Sequence, residues 1–392
     1  MVDCERRVFS CGGVCLFTQD SGLASVRDRL RAENVTGDFG FAVVYFSKST
    51  CRPRDVADLM QATCPGLDYA ACSTAGEITP SGLVEGQVVV LLFPRSSFVV
   101  DALCVSTISG AGIESISSRV AVGKRAFLDR LSSAQSRSVF AMCLIDGMSY
   151  AEEAVTAAIH WGLDDIPLLG GSAGDDLNFS ETSLILNGQI ENDCAIILLV
   201  ASDLPMRIFK TDNFIPTRSK LVVTRSDPAR RIVHELNAAP AALEYANVIG
   251  TQQKSLSPQS FASHPLVVRV GGEYYCRSIQ KVNDDGSLSF FCAIDDGIVL
   301  TVAEPTGMAR TTRRAFEEAR EALGEIDFVL GFDCVLRQID ARNRQATRRI
   351  CEIYRENHVV GFNTYGEQYR SMHLNQTFTG VAFGHADGRA GS

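Results

Sequence analysis

Phe41-Ala42-Val43-Val44-Tyr45-Phe46, followed by Tyr69-Ala70-Ala71-Cys72-Ser73-Thr74-Ala75-Gly76-Glu77, is the stretch that decides the fold. A strand-length apolar run passes through a segment of helical periodicity, Arg54 to Gln61, into a second apolar run that ends in small residues, Gly and an acid. The theme returns twice. Val139-Phe140-Ala141-Met142-Cys143-Leu144 leads to Pro167-Leu168-Leu169-Gly170-Gly171-Ser172-Ala173-Gly174-Asp175. Phe328-Val329-Leu330-Gly331-Phe332 leads to Val359-Val360-Gly361-Phe362-Asn363-Thr364-Tyr365-Gly366-Glu367. Repeated units that end alike should point their turns at similar places, which favours a ligand pocket over a catalytic triad scattered along the chain.

Strand–helix–strand order calls for parallel pairing, and the intervening segments read as antiparallel. Gly86 to Phe93 is expected as a hairpin partner, Asn187-Gly188 as a hairpin turn, and Leu266 to Val302 as a meander turning at Gly271-Gly272-Glu273 and Asn283 to Gly286. Helices are expected over Val26 to Glu33, Glu114 to Leu131, Tyr150 to Trp161 and Thr311 to Leu323. Another is expected over Arg231 to Leu236, where Asp227 would cap and Pro228 would take the first position. The expected class is α/β in the mixed α+β sense: internal strand-helix-strand repeats in mixed sheets flanked by helices. Two packed domains, 1–205 and 206–392, would divide near Leu204-Pro205, where the second unit is complete. The tail His385 to Ser392 is expected to fray.

Composition narrows the function. In 392 residues, hydrophobic residues make up 46% and charged residues 21%, enough apolar material for sizeable cores. A net charge of −9 argues against a sequence-independent nucleic-acid surface, which needs clustered Lys and Arg. The basic stretch Arg342 to Arg349, with Arg337 before it, reads as the solvated face of a helix. The N-terminus lacks the apolar core of a signal peptide, and the longest apolar runs, such as Cys194 to Ala201, fall well short of the ~18 residues of a membrane span. No membrane insertion and a cytoplasmic location are therefore expected. The 13 cysteines then read mostly as buried thiols in a reducing compartment.

The turns carry the candidate chemistry. Gly permits positive φ and close approach. Ser, Thr and Asn supply hydroxyl or amide groups beside an acid. Such groups can simply tie off a tight turn, and this is the reading for the first two. The third reads as a binding element, because Met372-His373-Leu374-Asn375-Gln376-Thr377 follows it closely. There is no Gly-x-Ser-x-Gly elbow, P-loop or His-Glu-x-x-His, so no enzyme is expected.

Taken in order, Cys72-Ser73-Thr74-Ala75-Gly76-Glu77-Ile78, Leu169 to Asp176, Val268-Arg269 to Leu288, and Gly361 to Thr377 resemble the FIST module, with its N-terminal and C-terminal parts, from about Phe39 onward. The resemblance implies a sensory ligand-binding module. The third-turn motifs are similar to those of the stand-alone bacterial nitric-oxide-sensing proteins often called NosP. That likeness implies haem b, nitric oxide as signal, and a partner histidine kinase or cyclic-di-GMP enzyme (diguanylate cyclase or phosphodiesterase) regulated in trans, with a homodimer as one assembly.

A haem sensor needs an axial ligand and groups for the propionates. His373 is the first choice for the iron, in a cofactor site with Tyr365, Glu367, Asn375, Thr364, Asn363 and Arg269. Ranked below it are His234, His358, Cys64 of a Cys-Pro dipeptide, and Cys11 and Cys15. Cys11 and Cys15, with Cys4 nearby, also raise zinc, an iron–sulfur cluster or redox sensing as alternatives. A further reading is a metabolite sensor without iron. It would bind an amino acid through Arg269, Asn363, Thr364 and Glu367.

Overall fold

The computed structural model describes residues 4–18, 23–33, 35–131 and 137–385; the remainder of the tail expected to fray, 386–392, lies outside them. The three repeats are three copies of one larger unit. Each begins with an outer strand, which in the first unit carries the further strand Cys4–Val8 beyond it, and a helix, then a central strand, a second helix and a strand parallel to the central one. A short hairpin and a return strand complete it. The first unit runs from the strand Val14–Thr18 through the central strand Phe39–Phe46, the helix Pro53–Thr63 and the strand Asp68–Ser73 to the return strand Val88–Pro94. In the second, the matching elements are Phe98–Ser106, Ser138–Ile145, Glu152–Leu163, Leu168–Ser172 and Cys194–Ser202. In the third, they are Met206–Asp212, Ile326–Cys334, Thr347–Glu356, Val359–Thr364 and Thr377–Gly384. Within each unit the return strand lies antiparallel between the outer and central strands. The parallel pair comes next.

The hairpins are exchanged in a ring. The first unit's hairpin, Glu77–Thr79 and Gly82–Val84, extends the third unit's sheet beside Val359–Thr364. The second's, Leu184–Leu186 and Gln189–Glu191, extends the first unit's sheet beside Asp68–Ser73. The third's, Glu367–Tyr369 and Met372–Leu374, extends the second's beside Leu168–Ser172. Each of these three sheets is therefore completed by another unit. The expected division at 205/206 falls at the start of the third unit, and hairpins cross it in both directions.

Strands buried on both faces explain the near-continuous apolar runs. Cys194–Ser202, for example, is buried at every position. The inner faces of all three sheets share one core, in which Phe93 of the first unit meets Phe98 of the second at 5.1 Å and Phe98 meets Phe383 of the third at 5.4 Å. Helices cover the outer faces. Thr347–Glu356 buries Ile350, Ile353 and Tyr354, an i, i+3, i+4 stripe. Ten of the thirteen cysteines are buried free thiols, as their composition implied.

A fourth, antiparallel sheet is inserted in the third unit between its edge strand and the helix Met308–Leu323. It includes the meander read from sequence, with turns at Gly271-Gly272 and before Leu288–Phe290. It has its own core around Leu221, Tyr245, Phe261 and Leu300. The helix expected at Arg231 to Leu236 is a strand, Ile232–Leu236. Asp227 does cap, accepting from the Arg230 amide, but only for a single turn, Pro228–Arg230. Arg231 ends that turn in the left-handed conformation, φ 55° and ψ 37°, which no helix can propagate.

Arg337 also departs from expectation. It is fully buried, bonding Asp333 at 2.6 Å, Asn213 at 3.1 Å and Thr312 at 3.0 Å. The basic stretch after it is solvated but broken between two helices at Gln345, whose φ is 56°.

Candidate functional site

The three turns converge where the parallel strands end, and they hydrogen-bond in a ring. The Gly174 amide donates to Ser73 O at 3.0 Å, joining the second turn to the first. The Tyr365 amide donates to Ser172 O at 3.1 Å and the Ser172 amide to Gly366 O at 2.8 Å, joining the third to the second. The Ala75 amide donates to Asn363 O at 3.0 Å and the Asn363 amide to Gly76 O at 2.7 Å, closing the ring. Of the turn glycines Gly76, Gly174 and Gly366, only Gly76 has positive φ, 137°. Gly366 is required for space instead, because a Cβ there would overlap the His373 ring.

Two of the three acids are equivalent. Glu77 accepts from the Thr74 hydroxyl at 2.5 Å and the Gln87 amide at 3.0 Å. Glu367 accepts from the Thr364 hydroxyl, the Thr377 hydroxyl at 2.6 Å and the Thr377 amide at 3.2 Å. Burial pushes both carboxyls up to about 8, against the pull of these threonines. The third turn, read from sequence as a binding element unlike the first, uses its Thr and Glu in the same internal way. Asp175 differs. It accepts from the Phe179, Ser180 and Glu181 amides of its own long loop, and from the Tyr365 hydroxyl. Burial opposes its charge, but these donors hold it below the ordinary carboxylate value.

His373 lies on the exchanged hairpin strand Met372–Leu374 and is 2% exposed. Gln368 Nε2 donates to its Nδ1 at 3.1 Å, which leaves the ring proton on Nε2, a buried atom with no partner. Burial pushes His373 down to about 4, Glu153 opposing, so the ring is neutral at pH 7. Haem does not fit at His373 in this conformation: the ring is seated on Gly366, and the hollow beside Tyr365 holds only about 20 Å³. Asn363, Thr364, Glu367 and Asn375 are buried with it at the hub. Arg269 is exposed on the inserted sheet over the Tyr274 ring, 5.9 Å from its centroid, and contributes nothing to the hub.

The remaining expected ligands do not assemble. His234 is on the strand Ile232–Leu236, 3.9 Å from Asp285. Both nitrogens of His358 are engaged, Nε2 with Arg7 at 2.6 Å and Nδ1 with Asp327 O at 2.9 Å. Cys64 is buried beside Thr63 and lines a separate hollow of about 560 Å³ near the Asn187-Gly188 turn. Burial pushes the Cys11 thiol up to about 12, and Cys15 well above its ordinary value. Among the described residues no three His, Cys, Asp or Glu side chains are placed to hold a metal ion.

A cleft does form, mostly from residues that the sequence did not single out, with Tyr365 the one expected site residue in its lining. The inserted sheet meets the loop that follows the second unit's central strand, and two adjoining hollows there share Tyr150, Gln280 and Phe290. The outer one holds about 410 Å³ and is rimmed by Arg230 and Lys281. The inner one ends against Phe179, Tyr365 and Arg231. Arg231 lies under the Tyr150 ring, 5.0 Å from its centroid, and is 5% exposed. Its Nη2 donates to Glu152 at 2.5 Å and Glu153 at 2.7 Å, and its Nε is buried without a partner. Burial pushes Glu152 up to about 7, against the pull of Arg231. Glu153 also accepts from the Ala293 amide at 2.9 Å. Burial opposes its charge too, yet the net shift is downward; with His373 neutral, Arg231 is the cation that sustains it at pH 7. A left-handed arginine buried in a cleft wall is the kind of strain found at binding sites. Only the Glu152-Glu153 and Arg230-Arg231 doublets hinted at the cleft in sequence, and both had plausible helical readings.

The family profile described as the FIST N domain matches residues 40–239, and the FIST C domain profile matches residues 241–370. One similar protein is the uncharacterized protein MJ1623 of Methanocaldococcus jannaschii, 23% identical over 253 residues, or 56% of this chain and 49% of that protein. The chain thus spans about half the length of that curated relative. Among solved structures, a chorismatase superposes with a TM-score of 0.36 and 10% identity, over 94% of this chain and 98% of that one. So loose a superposition carries no reading of ligand or activity.

Proposed function

The chain belongs to the FIST family, with both the N and C domains present, and from that premise we propose that it is a sensory signalling module whose ligand is a small organic anion bound in the Arg231 cleft. The observation that carries this reading is Arg231 itself: buried, held in a left-handed conformation, and retaining an unpaired Nε at the floor of a cleft. The outer hollow has the volume of a metabolite site. Arg230 and Lys281 offer charge to a carboxylate, and Tyr150 and Phe290 offer flat apolar surface to the rest of the ligand. Amino acids and aromatic carboxylates are the classes with this chemistry.

Binding across the junction would bias how the inserted sheet sits on the hub, which is how a ligand shifts a two-state surface. The output in this reading is a partner histidine kinase or cyclic-di-GMP enzyme, the class the family resemblance implies. Calorimetric titration with amino acids and aromatic carboxylates, with hemin run alongside, tests the proposal. Saturable binding of a carboxylate, weakened by Tyr150→Ala, supports it. One-to-one hemin binding that is lost on His373→Ala, with no carboxylate bound, overturns it in favour of a haem sensor that opens the hub.

A further inference from the structure

Two cysteines outside the cleft form a pair that none of the sequence readings used. Cys104 lies on the strand Phe98–Ser106, at the edge of the second unit's sheet, and Cys194 begins the return strand beside it. The antiparallel register sets Cys104 opposite Ile196 and Ser106 opposite Cys194. The two cysteines are therefore diagonal neighbours on one face of the sheet. Both face the central core, Cys194 within it and Cys104 half-buried against it. Each thiol is the strongest single influence on the other's proton, as their adjacency on one face implies.

The surroundings distinguish their roles. The neighbouring Cys194 thiol, opposed by burial and aided by Ser106 Oγ at 3.8 Å, brings Cys104 down to about 7. Arg119 adds positive charge nearby, donating to Cys104 O at 2.9 Å. Cys194 is pushed far up by the Cys104 thiol and by its own burial. A partly exposed thiol at a sheet edge, beside a buried one on the next strand, is the arrangement of an attacking and a resolving cysteine.

We propose that Cys104 and Cys194 are a dithiol–disulfide switch oxidised by hydroperoxides. The Cys104 thiolate attacks one peroxide oxygen and the O–O bond breaks. The sulfur becomes a sulfenic acid, and the departing hydroxide takes up a proton to leave as water. Cys194 then gives its proton to solvent and attacks the sulfenic sulfur. The S–S bond forms, the S–O bond breaks, and a second hydroxide leaves as water. Two thiols lose two hydrogens, and one hydrogen peroxide is reduced to two waters.

The pair is wired to the cleft. Cys194 O accepts from the Asp146 amide at 3.0 Å, and the Asp193 amide donates to Asp146 Oδ2 at 2.6 Å. Asp146 Oδ1 in turn holds the Met148 amide at 2.9 Å, at the head of the loop carrying Gly147, Met148 and Tyr150 into the inner hollow. Drawing Cys194 toward the edge strand therefore pulls on the Asp146 anchor. This second half rests on the cleft reading; the disulfide does not.

The test uses the reduced full-length protein, treated with one equivalent of hydrogen peroxide, blocked with N-ethylmaleimide and mapped as non-reduced peptides. The expected product is a Cys104–Cys194 crosslink that dithiothreitol reverses and Cys104→Ser abolishes. In Cys194→Ser, Cys104 is expected to stop at a sulfenic acid that dimedone traps. Because wild type and the half-exposed Cys104→Ser carry the main result, a misfolded Cys194→Ser variant does not blunt the test. Recovery of both cysteines blocked by maleimide, or of Cys104 over-oxidised without a crosslink, overturns the switch. Hydrogen exchange over residues 146–153 should rise on oxidation. Unchanged exchange in crosslinked protein overturns the coupling alone, and carboxylate titration of the reduced protein judges the cleft reading separately.

Discussion

Replacing Arg231 with Met keeps the stem and the left-handed backbone but removes the guanidinium that two glutamates share. Breaking a buried pair from one side costs about 3–5 kcal/mol, because the remaining charge stays desolvated. The loss should depend on pH in a definite direction. In the wild type Glu152 already sits at about 7, raised by burial and restrained by Arg231. Without the restraint it rises further. A raised carboxyl binds its proton more tightly folded than unfolded, so its contribution to stability is full below the unfolded value and falls as pH climbs to the folded value. Below pH 7 both proteins lose stability in parallel as pH rises. Above 7 the Glu152 contribution levels off in the wild type and continues down in the variant, at about 1.4 kcal/mol per pH unit, while the contributions of Glu77 and Glu367 are common to both. Urea unfolding at pH 6 and pH 8 should therefore show a larger deficit at pH 8, by roughly that amount for the one unit between 7 and 8. Adding Glu152→Gln should recover part of the deficit at pH 8. A deficit below about 1 kcal/mol at both pH values would refute the buried-pair reasoning.

Further outcomes follow from the hub and the cleft. Gly366→Ala drives a methyl into the His373 ring and should cost about 1–3 kcal/mol of overpacking, read as a lower urea midpoint with unchanged slope. Glu77 and Glu367, both held up to about 8, should each make wild-type stability fall between about pH 4.5 and 8, by up to ~1.4 kcal/mol per unit; a steady rise across that window would contradict their protonated state. Tyr150 is 53% exposed but covers the Arg231 guanidinium, so Tyr150→Ala should cost about 0.5–2 kcal/mol of stability, leaving the protein folded, while weakening carboxylate binding by calorimetry.

Much of the architecture was legible because local signals and burial agreed. The repeated strand–helix–strand runs, the Asn187-Gly188 turn with φ of 50° and 86°, and the meander all formed where periodicity and turn chemistry placed them. The ring of exchanged hairpins was not legible. Three-residue strands such as Glu77–Thr79 carry almost no pattern, and their partners lie up to some 280 residues away, as Ile78 opposite Gly361 shows. The 231–236 segment misled because Asp-Pro is an equally good start for one turn as for a helix; the left-handed Arg231 that decides between them is tied through its side chain to Glu152 and Glu153, far back in the chain. The same limit hid the cleft. Its residues come from the second unit, the inserted sheet and the third turn, and no spacing along the chain joins Tyr150, Arg231 and Tyr365. His373 and its polar neighbours were conspicuous in sequence, yet most of their polar atoms serve one another and the turns.

Hydrogen exchange along the whole chain, with and without a saturating pool of amino acids and aromatic carboxylates, tests the central claim most directly. The account predicts protection concentrated at residues 147–152, 229–232 and 280–291, the three walls of the Arg231 cleft. Protection confined to 363–377 at the hub, or to 60–69 and 187–189 around the Cys64 hollow, would contradict it.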